Sequence, residues 1–157
     1  MKYLKIFDSY KSFQNLTQDQ YEDLIWHRMP FPNDDEVRND IYTLNYKEQE
    51  DIITFFKSKY NVTESLDGNK FIDNEVVIGF NKVGKEVSCW VNLRFVKTYP
   101  KTKKWVNGRR EILDEVEITI TKVEDEWFFV RSIGTKFNDY VKCDQIYGVL
   151  EYLKSRF

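Results

Sequence analysis

A chain of 157 residues with 41% hydrophobic and 32% charged side chains can bury the core of one ordinary domain. Its apolar runs reach only about four or five residues, far short of the roughly 20 that a membrane helix needs. A net charge of −2 weighs against a protein that coats polyanions with its whole surface.

The chain contains no alanine, while Phe, Tyr, Met, Ile, Asn and Lys, which use AT-rich codons, supply 64 residues. This composition points to an AT-rich virus, phage or low-GC microbe, and it makes aromatic content by itself weak evidence for a site. The opening MKYLKIFDSY is interrupted by Lys5 and Asp8 before any secretory apolar region forms, so the chain reads as intracellular, in the cytoplasm or in a virion. The sequons at Asn15 and Asn61 are discounted for the same reason.

In chain order, the first sixty residues read as helices. Tyr3, Ile6, Phe7, Tyr10 and Phe13 or Gln14 recur at three and four, predicting a short amphipathic helix. Thr17 and Gln20 form a capping box, with Leu16 and Tyr21 at the staple positions, so a helix over about 18–28 is expected. Met29-Pro30-Phe31-Pro32 ends it, because proline lacks a donor and restricts the residue before it. A third helical region spans about 35–60, with a fresh cap at Asn45 and Glu48 ahead of Ile52, Ile53, Phe56 and Tyr60.

From Val62 the period changes to alternation. Val62 to Leu66 and Lys70 to Ile72 flank Asp67-Gly68-Asn69 and predict a small hairpin. A meander follows: Val76 to Val83, Glu86 to Thr98, Ile112 to Val123 and Trp127 to Ile133. Val87, Cys89, Val91, Leu93 and Phe95 share one strand face, and Val116, Ile118 and Ile120 another. A last helix, about Asp144 to Ser155 and capped by Asp144, carries the stripe Ile146, Val149, Leu150 and Leu153.

These elements predict one α+β domain over 1–157: a helical part, 1–60, then an antiparallel sheet closed by a C-terminal amphipathic helix, 61–157. Seven possible strands from Val62 followed by one helix resemble the element order of the pleckstrin-homology architecture, without a shared motif.

Catalytic signatures are sparse. His27 is the sole histidine, so Cys-His chemistry would need Cys89 or Cys143 to meet it in space, and the two cysteines lack CxxC spacing. No phosphate loop, dinucleotide fingerprint, nucleophile elbow or zincin motif is present. Asp114, Glu115 and Glu117 beside Glu124, Asp125 and Glu126 read as a solvated edge rather than a magnesium site. No cofactor, metal or catalytic residue is expected.

The sharpest anomaly is KTYPKTKKWVNGRR, 97–110, which holds six cations and no acid. Lys97, Tyr99, Lys101, Lys103, Lys104, Trp105, Arg109 and Arg110 are the candidate binding residues, since cations interleaved with aromatics suit phosphate neutralisation and base stacking. A self-complementary, solvated loop has the same composition. Between Thr17 and Asp51 ten acids face three bases, so the chain is electrically polarised. The leading expectation is a non-catalytic binding or structural protein of a larger assembly, viral or phage-encoded, that contacts a protein partner or copies of itself and no membrane. Nucleic-acid binding through the basic hairpin is the alternative, and a small enzyme with a cryptic site ranks third.

Overall fold

The computed structural model describes residues 12–28, 44–83, 86–101, 108–123 and 127–157. Seven strands form one sheet: β1 (Phe13–Leu16), β2 (Val62–Glu64), β3 (Val76–Val83), β4 (Glu86–Tyr99), β5 (Arg109–Val123), β6 (Trp127–Gly134) and β7 (Asn138–Cys143). Among the described residues three helices accompany them, α1 (Gln18–Arg28), α2 (Tyr46–Lys57) and α3 (Ile146–Arg156). The strand order is β1-β7-β6-β5-β4-β3-β2, antiparallel throughout except that β2 runs parallel to β3.

The fold is mixed α and β, but the helices are interspersed among the strands rather than collected before them. Phe13 and Gln14, expected in a helix, lie in β1, which pairs with β7 from Phe13↔Cys143 to Leu16↔Tyr140. The reason is non-local: the open edge of β7 offers a ladder to any extended segment, and Phe13 packs edge-on to Tyr152 at 5.6 Å. The remainder of that predicted helix, and the Pro30–Pro32 break, fall outside the described residues. Six strands follow Val62 and join β1 in a single open sheet, so the pleckstrin-homology element order does not hold.

The helix starts at Thr17 and Asn45 form as expected. Thr17 Oγ1 accepts from Gln20 N at 3.1 Å, while Thr17 N donates to Gln20 Oε1 at 3.0 Å. Asn45 and Glu48 make the same reciprocal pair at 2.8 Å each way. By contrast, α3 begins after Gln145 without a side-chain cap, and Asp144 does not serve as one.

One face of the sheet carries the main core: Ile78, Cys89, Val91, Leu93, Val116, Ile118, Ile120 and Val130 lie under Ile52 and Phe56 of α2 and Val149 and Leu153 of α3. The opposite face is not simply polar. At one end Tyr21 of α1 packs with Phe129 and Val123. At the other end, the predicted 62–72 hairpin is replaced by a crossover. Asp67-Gly68-Asn69 does turn, with Lys70 N bonded to Asp67 O at 3.1 Å, but residues 70–72 pair with no strand. Because β2 is parallel to β3, the chain must return to the start of β3, and it does so across the sheet face. Asn92 Nδ2 donates to Gly68 O at 2.8 Å and Lys70 O at 3.1 Å, and Trp90 is buried beneath. Gly79 makes room for that indole: a Cβ there would sit 2.3 Å from both Trp90 Cζ2 and Ser65 O.

Candidate functional site

β4 and β5 are the two longest strands, at 14 and 15 residues, against eight for each of their neighbours. The last β3 pair on β4 is Leu93↔Val76, and the last β6 pair on β5 is Val116↔Gly134. Arg94–Tyr99 and Arg109–Glu115 therefore continue as a two-stranded ribbon past the sheet. An extra residue, Leu113, sits between the pairs Phe95↔Asp114 and Val96↔Ile112, and this bulge turns β5 where the ribbon departs.

The two edges of the ribbon differ. On the β4 side, Asn74 adopts φ 62, donates from its N to Arg94 O at 2.7 Å and accepts from Val96 N through Oδ1 at 3.0 Å, closing that edge. On the β5 side, no described strand pairs with Arg109–Glu115, whose first five residues are all exposed. Ile112 and Leu113 are 45% and 48% exposed.

Five of the eight candidate binding residues fall within the described part of the ribbon. Lys97 Nζ lies 5.0 Å and the Arg109 guanidinium 4.4 Å from the centroid of the Tyr99 ring. Its hydroxyl donates to Glu111 at 3.0 Å, and Arg109 approaches the same carboxylate at 3.4 Å. Arg110 grips Asp73 with Nε at 2.6 Å and Nη2 at 2.5 Å, and this hydrogen bonding holds the Asp73 carboxyl below its ordinary range. Lys101 is exposed beside Gly108, whose φ of +79 suits the turn. Lys103, Lys104 and Trp105 lie outside the described residues. The strand begins at Arg109 rather than Ile112, so both arginines belong to the stem, not the loop.

The other groups singled out in the sequence are placed as follows. Cys89 and Cys143 are buried in the main core, where burial pushes the Cys143 thiol up to about 12 and Cys89 higher still, both away from the reactive thiolate. His27 belongs to α1, which packs through Tyr21, Leu24 and Ile25 on the opposite face of the sheet. Asp114 accepts from Thr135 Oγ1 at 2.7 Å and Glu115 pairs with Arg94 at 3.1 Å. Among the described residues no three His, Cys, Asp or Glu side chains gather as metal donors. No described helix is long and apolar enough to cross a membrane. Two surface grooves of about 370 Å³ flank the helices, one beside Glu64, Leu66 and Phe80, the other between α2 and α3 over Phe55 and Leu150. No histidine or cysteine lines either one.

The exposed edge at Ile112–Leu113 was not singled out in the sequence, although a signal for it exists. Two adjacent apolar residues break the alternation of β5, and charges flank both, as a bulge on an exposed strand requires. No protein family, curated protein or solved structure matches the chain.

Proposed function

We propose that this is a non-catalytic binding or structural protein that makes protein–protein contacts within a larger assembly, using the projecting β4–β5 ribbon. One observation carries the reading: the ribbon presents exposed Ile112 and Leu113 while the arginines of its stem are already engaged, Arg110 by Asp73 and Arg109 by Glu111. A phosphate binder depends on a surplus of positive charge to displace counterions, and the carboxylates beside these two arginines balance theirs even though N–H donors remain. A protein contact instead wants an apolar centre inside a polar rim, which is the arrangement here. The alanine-free composition supports a viral or phage origin within this reading.

Nucleic-acid binding remains the second reading, supported by the six cations of 97–110 and the exposed Lys97 and Lys101. Fluorescence anisotropy with labelled DNA and RNA, single- and double-stranded, separates the two. The protein reading expects no saturable binding near physiological salt. Binding that falls steeply with salt and is abolished by Lys103→Glu with Lys104→Glu would replace it with the nucleic-acid reading.

A further inference from the structure

We propose that the open edge of β5, Arg109–Glu115, is a self-association site, at which two copies of the chain pair their β5 strands antiparallel about a two-fold axis at Ile112. This rests on the ribbon as a contact surface and names its occupant: a second copy.

An unpaired strand edge offers a row of N–H and C=O groups whose natural complement is another extended strand. Proteins blunt such edges, and this one blunts the β4 side at Arg94–Val96 with Asn74, while among the described residues no strand pairs with the β5 side. The sequence along that open edge is Arg-Arg-Glu-Ile-Leu-Asp-Glu, basic at its N-terminal end and acidic at its C-terminal end. Antiparallel pairing with a second copy brings the Arg109–Arg110 end of each strand to the Asp114–Glu115 end of the other, with Arg110 and Glu115 on one sheet face, Arg109 and Asp114 on the other, and Ile112 meeting its own copy near the centre. Parallel pairing in the same register would set arginine on arginine and acid on acid. The charge pattern thus selects the antiparallel orientation.

The ion pairs within the chain need not break. Arg110 is bound to Asp73 and Arg94 to Glu115, but a guanidinium has five N–H donors and a carboxylate about four acceptor positions, so each can take a further partner. Pairing also covers Ile112 and Leu113, the exposed apolar residues on this strand. Because the interface is isologous, it closes at two copies. A single strand pair is smaller than the interfaces of about 1,200 Å² and more that hold permanent complexes, so association should be reversible and weakened by salt.

Sedimentation velocity over low-micromolar to submillimolar concentration is expected to show monomer passing to dimer and no larger species. Arg109→Glu with Arg110→Glu, and separately Asp114→Lys with Glu115→Lys, should each raise the dissociation constant about tenfold or more. Mixing these two variants should restore a dimer, since the opposite charges then meet between unlike chains. Circular dichroism checks that both fold. Should either fail to fold, Ile112→Cys provides the second test, because directly opposed residues lie about 4.5–5.5 Å apart between Cα atoms, within disulfide reach. The native cysteines are buried and do not compete. Oxidation should give a covalent dimer from Ile112→Cys and none from Thr98→Cys on the opposite, β4 side of the ribbon.

A wild-type chain that stays monomeric throughout, or cross-linking no faster at 112 than at 98, overturns the self-association. If the ribbon then cross-links to a different protein, the ribbon reading itself survives. If neither occurs, both fall.

Discussion

Glu48 serves two ends at once: its carboxylate completes the Asn45 capping box and receives the buried Lys122 ammonium at 3.0 and 3.1 Å. The capping half was legible in the sequence because its partners are three residues apart. The ion pair was not, because Lys122 lies 74 residues on, across the core from β5 to α2. Lys122→Met leaves a buried carboxylate without its counter-charge and is expected to destabilise by about 3–5 kcal/mol, measured by urea denaturation. A loss under about 1 kcal/mol would mean that the pair is solvated in solution. A buried phenol and a buried thiol titrate at the alkaline end. Burial raises Tyr21 and Cys143 each to about 12, from 10.0 and 9.0. In the unfolded chain these groups ionise first, so raising the pH favours unfolding. Their stabilising contribution is complete below about pH 9 and is lost as the pH climbs toward about 12. Melting temperature should therefore be insensitive to these groups near neutrality and fall in the alkaline range, and neither thiol should react with Ellman's reagent until the protein unfolds.

Alternation located β3 to β6 to within a few residues, because it reports a local property, the two faces of a half-buried strand. The edge strand β1 escaped for the opposite reason: four residues carry too little pattern, and its partner β7 lies near the far end of the chain. β2 forms within the expected Val62–Leu66 strand, but parallel to β3 rather than in a hairpin with 70–72. In α3 the predicted stripe holds at Val149 and Leu153, and at Ile146, which packs partly buried against the core, but not at Leu150. The inward residues are Gly148, Val149, Tyr152 and Leu153, while Leu150 is half-buried over the α2–α3 groove. Gly148 explains why the inward face widens toward Tyr152: a Cβ there would lie 2.1 Å from Ser12 O, so only glycine lets the helix close against the start of β1. Leu153→Asp should accordingly cost several kcal/mol and Leu150→Asp about 1 kcal/mol or less, compared by thermal melting. Equal effects would contradict the packing face. Gly79→Ala should destabilise by about 1–3 kcal/mol by driving a methyl into Trp90 and Ser65.

At the scale of the whole molecule, the sheet holds its core between two helices on one face, with α1 and the 65–74 crossover on the other, and extends one ribbon past all of them. The cation run of 97–110 was legible as an anomaly. Its electrical meaning was not, since the carboxylates that engage its arginines come from Glu111 on the same strand and from Asp73 in the crossover. What distinguishes the ribbon is therefore less its charge than its open β5 edge. Amide hydrogen exchange at Arg109–Leu113 tests this most directly, comparing dilute protein with the protein in its assembled state. The account expects these amides to exchange rapidly when dilute and to become protected on assembly. Unchanged exchange there, with new protection over the α2–α3 groove or the β2 edge instead, would contradict it.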